Sequence, residues 1–287
     1  MKFKCYSDID EYKSVVLDLL LEDEVINNLP LSILIDSKKI DGVNHLLATV
    51  TNDIGDICLV AICTKPFNIL LYEPVLNTTE SNGKNDAMDL LASELKRLKF
   101  DPPGVLAVSG LARRFADAYC GVNGGRLAMS MVLMRLDKIG EYKKASGFCR
   151  TLCEDDLSFT PSWEQAFCVD CRLPVFSKSD NEERIRTRLG MDTHFIWEDE
   201  EPVSQAVYGR NTPNGGVVNW VYTPPQYRGQ GYATSVVAEL SKAIFDRGKK
   251  FCCLYADAAN PISRGVYSKL GYYDVCTFDE IKFDSQR

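Results

Sequence analysis

The segment that most restricts what this chain can fold into runs from Val217 to Thr234. An apolar strand, Val217 to Tyr222, stops at Pro224 and Pro225. A tight loop with two glycines, Gly229 and Gly231, then opens an amphipathic helix. Glycine lets backbone amides approach a ligand closely, and amides at a helix start carry partial positive charge. The junction therefore predicts an α/β fold with an anion site suited to a pyrophosphate, to which Arg228 adds charge. A plain strand–turn–helix connection fits the same pattern, and Gly229-x-Gly231 alone does not decide between the two. The phosphate-loop pattern Gly-x-x-x-x-Gly-Lys-Ser/Thr is absent, and the third glycine of the dinucleotide fingerprint is missing.

Charge and length narrow the function classes. The chain has 287 residues, enough for two domains with sizeable cores. It carries 33 basic and 40 acidic residues, a net charge of −7. That balance argues against a nucleic-acid partner, which needs a basic face, and against a polybasic membrane dock. No apolar run approaches the ~20 residues that span a bilayer. The start, Met1 to Asp8, has no signal-like run. The 11 cysteines are odd in number and follow no regular framework, so the chain reads as cytoplasmic with reduced thiols. Cys149 with Cys153 and Cys168 with Cys171 have spacings that suit a zinc site. The neighbours favour apolar filling: Phe148, Arg150 and Leu152 alternate as in a strand, and Trp163, Phe167 and Cys171 share a helical face. No metal is expected. His194 falls in an apparent strand and is expected to be structural.

Element order suggests a duplication. The first half reads as two helices within Ile9 to Ile35, with Val15, Leu19 and Leu20 setting the apolar spacing. Strands follow at His45 to Thr51, Ile57 to Thr64 and Phe67 to Val75. The polar stretch Asn77 to Asn85 is a loop, and Asp86 to Lys99 an amphipathic helix. Strand Gly104 to Val108, helix Leu111 to Cys120 and strand Arg126 to Leu136 complete this half. The charged stretch Asp137 to Ser146 marks the junction, which places the domains at 1–140 and 141–287. The second half repeats the order. Strand Arg150 to Leu152 leads to helices at Ser162 to Cys171 and Asn181 to Leu189, the latter opened by the capping box Ser179-x-x-Glu182. Three strands, the helix Ala233 to Arg247, strand Lys250 to Ala256, helix Pro261 to Leu270 and a final strand pair within Tyr272 to Phe283 follow.

Two landmarks resemble a known family. Arg228-x-x-Gly231-x-Ala233 after a strand is similar to the Arg/Gln-x-x-Gly-x-Gly/Ala signature of the GNAT superfamily of acyl-CoA-dependent N-acyltransferases. Downstream, Asn260 followed by Tyr267, Gly271 and Tyr272 resembles that family's Asn-x-x-x-x-x-x-Tyr-x-x-x-Gly-Phe/Tyr pattern. The resemblance implies two tandem GNAT-like domains, each a mixed, mostly antiparallel central sheet flanked by helices. It implies acetyl-CoA as cosubstrate, with pantetheine lying in a cleft beside the strand that ends at Tyr222. Val221, Tyr222 and Thr223 would then supply backbone partners to the pantetheine and acetyl group. Gly229, Gln230, Gly231, Tyr232, Ala233 and Thr234 would cradle the pyrophosphate. Asn260 would contact the pantetheine arm or the thiol-side region, although before Pro261 it is also a good helix N-cap. Tyr267 stands where many members place the general acid that protonates the leaving thiolate. The glutamate that some relatives use as a base is replaced by Tyr255, which leaves Asp257, Glu280 or a water chain.

The implied reaction is direct attack of a small-molecule or peptide amine on the thioester. A non-catalytic acyl-CoA sensor is the alternative; a nicotinamide-dependent oxidoreductase lacks its fingerprint. The acidic chain is a weak hint of a cationic acceptor, and the sequence says nothing of oligomeric state. The first half resembles the degenerate GNAT-like domains that precede active ones in two-domain bacterial members. Its loop at Asn77 to Asn85 carries Glu80 and lacks the signature, so one cosubstrate per chain is expected.

Overall fold

The computed structural model describes residues 1–36, 44–75 and 83–283, with 83–85 described by backbone alone. The chain divides into two compact units, residues 1–132 with 276–287, and residues 133–275.

In the first unit, β1 (Lys2–Tyr6), β2 (His45–Thr51), β3 (Ile57–Thr64), β4 (Ile69–Tyr72) and β5 (Gly104–Val108) lie side by side in that order. All pairs are antiparallel except β4 with β5. Strands β2 and β3 are buried on both faces, which is why they read as continuous apolar runs. Helix α1 (Ile9–Glu22) opens on Asp8, whose carboxylate accepts the Glu11 amide at 2.8 Å. It buries Tyr12, Val16 and Leu20 against Leu47 and Ile62 on one face of the sheet, together with α2 (Asn28–Ile35). Of the expected stripe Leu20 is fully buried, while Val15 is 41% exposed and Val16 points into the core in its place. On the other face α3 (Gly83–Arg97) and α4 (Ser109–Cys120) pack Met88, Leu91, Leu95 and Phe115 onto Leu46, Ala48 and Val50. Each such side chain contributes about 1.5–3 kcal/mol by leaving water.

The second unit receives the end of β6 (Arg126–Leu136) and continues with β7 (Phe148–Thr151), α5 (Thr160–Asp170) and α6 (Lys178–Arg186). Then come β8 (His194–Asp199), β9 (Glu201–Asn211), β10 (Gly215–Tyr222), α7 (Tyr232–Asp246), β11 (Phe251–Asp257), α8 (Pro261–Ser268) and β12 (Tyr273–Lys282). Its strands include the run β6-β11-β10-β9-β8-β7, in which β10 and β11 are parallel and β10, β9, β8 and β7 pair antiparallel in turn. Helix α7 buries Val236, Val237, Leu240 and Ile244.

Several expectations shift. The last segment is one strand, β12, rather than a pair. Its residues Phe278–Lys282 run antiparallel to β5 in the first unit, where Ile281 is buried in the core. Gly104 permits this, because a Cβ there would collide with the Ile281 carbonyl. The two units are therefore not successive stretches of chain, and the first division falls between Val132 and Leu133, whereas the sequence suggested 140/141. Helix α6 is capped by Ser177, which accepts the Asp180 amide at 3.1 Å, rather than by Ser179. The edge strand β1 was not expected at all. The loop from Asn77 to Asn82, with Glu80, lies outside the described residues, while Gly83–Asn85 open α3.

Candidate functional site

The site begins where β10 and β11 part. They pair in parallel from Gly215 with Phe251 to Val217 with Cys253. Beyond that, the ladder between β10 and β9 is irregular from Asn219 to Tyr222, and Trp220 sits in the left-handed region at φ 53°. This bulge re-aims the strand end. On β9, the buried Ser204 donates to the Tyr222 carbonyl at 3.1 Å and is 2.8 Å from the Thr223 hydroxyl. The space between the strands is a cleft of about 640 Å³ within the second unit.

Most of the expected residues meet there. Val221, Tyr222, Thr223, Arg228, Gly229, Gly231, Tyr232, Ala233, Thr234, Asn260 and Tyr267 all line the cleft. Gln230 does not; it lines a second cleft of about 650 Å³, which shares Gly229, Gly231 and Thr234 with the first. After a short 3-10 turn at Pro225–Tyr227, Gly229 and Gly231 adopt φ of 82° and 87°, which disfavours any side chain. The amides of Gly229 to Thr234 find no hydrogen-bond partner among the described residues. These unpartnered donors at the start of a 15-residue helix are what an anion requires. The residues present therefore fit the pyrophosphate of an acyl-CoA.

The guanidinium of Arg228 donates to Asp170 of α5 at 2.6 Å and to the Thr223 carbonyl at 2.9 Å. Asn260 caps α8 by accepting the Ser263 amide at 3.1 Å, so its capping role is realised. Tyr267 is 8% exposed, packs edge-on to Tyr272, and its hydroxyl finds no hydrogen-bond partner among the described residues. Burial pushes its ionisation well above the usual tyrosine range, and the neighbouring Cys171 adds to this.

Of the carboxylates considered as a base, only Asp257 lines the cleft; one of its oxygens accepts the Ala259 amide at 2.8 Å. Glu280 is bound to Asn68 at 2.8 Å and Lys282 at 2.7 Å, and Asp279 accepts from Ser130 at 2.8 Å, all in the first unit.

A family model described as "FR47-like protein" matches residues 199–279. Three solved structures align over nearly the whole chain. A GNAT-family acetyltransferase from Colwellia psychrerythraea is 9% identical, with TM-score 0.63, covering 99% of this chain and 100% of its own. A GCN5-related N-acetyltransferase from Sphaerobacter thermophilus is 15% identical, with TM-score 0.65, covering 97% and 94%. A tandem GNAT protein from the clavulanic acid biosynthesis pathway is 11% identical, with TM-score 0.61, covering 100% and 99%. The chain has the GNAT fold. The resemblance seen in Arg228 to Ala233 and Asn260 to Tyr272 is borne out, and the tandem relative fits two GNAT-like units. No curated protein matches the sequence.

The GNAT cleft also contains residues that the sequence did not reveal. Phe167 and Asp170 of α5 and Cys171 just after it line the cleft, with Trp220 and Lys269, and Tyr255 joins them from the position expected of a base. Trp220 packs 5.1 Å from Phe167 and lies under the guanidinium of Arg184 at 4.8 Å. Arg184 and Arg188 are held by the fully buried Glu164 at 2.7 and 2.5 Å. The periodicity of α5 marked Trp163, Phe167 and Cys171 as one face but gave no sign that its end would border a cleft. Cys149, Cys153, Cys168 and Cys171 are all free thiols. Among the described residues no three His, Cys, Asp or Glu side chains gather as a metal site would need. Among them, too, no helix is long and apolar enough to cross a membrane.

Proposed function

We propose that the second unit transfers an acyl group, acetyl in the first instance, from acyl-CoA to an amine. One observation carries this reading: a single cleft joins the open end of β10 to the amides of the glycine turn and the hydroxyl of Tyr267, and neither those amides nor that hydroxyl has a hydrogen-bond partner among the described residues. The pantetheine arm pairs with Val221 to Thr223 as an added strand. The turn from Gly229 to Thr234 holds the pyrophosphate, and Asn260 borders the arm. The amine attacks the thioester carbonyl directly. Tyr267, kept protonated by its burial, donates its proton to the departing thiolate. Asp257 has no cationic partner among the described residues and takes the proton that the amine sheds. The first unit binds no cosubstrate and serves as a structural partner. The acceptor is a small-molecule or peptide amine, and neither a metal, a nucleic acid nor a membrane takes part. The site of action is the cytoplasm.

The test is release of CoA from acetyl-CoA in the presence of a panel of primary amines. Turnover with at least one amine is expected. Tyr255, standing where some relatives carry a glutamate base, favours a second reading, a non-catalytic acyl-CoA sensor. Saturable acetyl-CoA binding with no CoA release from any amine would establish that reading instead.

A further inference from the structure

The second cleft, of about 650 Å³, lies against the glycine turn. One wall is the turn itself, through Gly229, Gln230 and Gly231. The facing wall is the segment Glu141–Ser146, and Lys269 after α8 borders both clefts. That segment has no regular secondary structure, yet it is pinned in place. The Gly140 amide donates to the Leu270 carbonyl at 2.8 Å, and the Ala145 amide to Ser235 of α7 at 2.9 Å. The Trp197 indole donates to the Ser146 carbonyl at 2.7 Å. The nearest atom that a Cβ on Gly231 would meet is Cβ of Ala145, at 3.9 Å.

The charge in this cleft runs against that of the chain. Lys143, Lys144 and Lys269 line it with a single carboxylate, Glu141, whereas the whole chain carries −7. All three lysines are exposed, and Lys144 rests 5.4 Å above the Trp197 ring. Among the described residues neither Lys143 nor Lys269 has an ion-pair partner. Three ammonium groups beside unpartnered amides form a site for a second anion, next to the one at the turn. A compact ammonium suits phosphate as a point charge.

We propose that Lys143, Lys144 and Lys269 read the ribose 3′-phosphate of the acyl-CoA. The proposal rests on the acyl-CoA reading of the first cleft. A ligand with its thioester near Tyr267 and its pyrophosphate on Gly229 to Thr234 leaves the turn by the second cleft. The next anionic group along coenzyme A is the 3′-phosphate on the ribose. The segment that joins β6 to β7 therefore selects for the phosphorylated cosubstrate. Because the lysines are exposed, the selection weakens as salt screens them.

Titration calorimetry with acetyl-CoA and with acetyl-3′-dephospho-CoA tests this on the full chain. At low salt the wild type is expected to bind acetyl-CoA roughly ten-fold tighter, the sum of several exposed charge contacts. The preference should shrink in 0.5 M salt, where the Debye length falls to roughly 4 Å from about 10 Å at 0.1 M. Lys143→Ala/Lys144→Ala should remove most of the preference for acetyl-CoA and leave the affinity for the dephospho form within about two-fold. Lys269→Ala should lower the preference in part. Equal affinity of the wild type for both ligands would overturn the proposal and leave the acyl-CoA reading standing. A preference that survives in both variants would also overturn it. Failure of the wild type to bind either ligand would overturn the acyl-CoA reading, and the proposal with it.

Discussion

In each unit two parallel strands pair briefly and then part, and the two partings end differently. In the first unit β4 and β5 pair at Ile69 with Val105 and Leu70 with Leu106. Next on β4, Leu71 and Tyr72 are buried in the cores, and the Tyr72 hydroxyl donates to Asp23 at 2.7 Å. Glu73 then pairs with Arg114 of α4 at 2.6 Å, with side chains only 15% and 32% exposed. In the second unit β10 runs eight residues, bulges at Trp220 and leaves a cleft. The ion pair there, Asp170 with Arg228, is 49% and 50% exposed. The topology alone therefore does not make a site. The side chains that follow the point of divergence are buried or paired in the first unit and border a cleft in the second.

The largest expected effect separates the units by ligand binding. Gly231→Val places a β-branched residue at φ 87°, where the amides must face the pyrophosphate. Acetyl-CoA should raise the Tm of the wild type by mass action and leave the folded variant unmoved. Calorimetry on the intact wild type should give one acetyl-CoA per chain. A stoichiometry near two, with the second site surviving Gly231→Val, would restore the first unit as a binding domain and end the comparison.

Next in size is the chemistry of the open cleft. Tyr267→Phe removes the unpartnered hydroxyl and little volume. Turnover on a working amine should fall by ~10²-fold, with acetyl-CoA affinity held within a few fold. Equal turnover in the two proteins would remove Tyr267 from the mechanism and leave the cleft as a binding site only.

How far the sequence disclosed these differences depended on how local they were. Strands β2, β3, β5 and β6 have the expected bounds; for β2 and β3 this follows from burial, which writes unbroken apolar runs. The turn and Tyr267 were legible because signature and spacing lie within one stretch of chain. Asp170 and Lys143 were not, since they reach the turn from segments far upstream. Edge strand β1 was hidden by Lys2 and Lys4, the charges that keep an edge from pairing further. Strand β12 looked like a pair because its two halves serve different units. The cap of α6 was misread because Ser177 and Ser179 stand two residues apart, and only the bond to the Asp180 amide distinguishes them.

A smaller effect concerns the buried polar support of the second unit. His194 on β8 is fully buried, and its Nε2 lies 3.2 Å from Gln205 of β9. Burial, with the Arg188 charge, pushes its imidazole down to about 3. The unfolded chain takes up this proton near pH 6.5, and the folded chain does not. Between these values the unfolded state binds more protons, so stability falls as pH drops from about 6.5 toward 3, by up to about 1.4 kcal/mol per pH unit. Above pH 6.5 this group adds no pH dependence. Urea midpoints at pH 7 and pH 5 should differ less in His194→Gln than in the wild type. An equal difference would assign the acid sensitivity to other groups.

The smallest effect tests whether the first parting is held shut by its ion pair. Glu73 is the better buried partner, so Glu73→Gln strands the Arg114 charge against a neutral amide in a partly dry place. Removing one partner of a buried pair is costlier than the pair is worth, and at this exposure a loss of about 1–2 kcal/mol is expected. Asp170→Asn removes the matching partner at the open cleft, where water already screens both charges. There the change in stability should stay within about 0.5 kcal/mol. The released Arg228 would be free to turn toward the pyrophosphate, so acetyl-CoA affinity should hold or rise by a few fold. Neither variant should acquire a second acetyl-CoA site, because the first unit also fills its gap with Leu71 and Tyr72. Chemical denaturation of the two variants side by side decides the matter. Equal losses, or a larger loss from Asp170→Asn, would mean that the ion pairs do not distinguish the closed parting from the open one, and that apolar filling alone does.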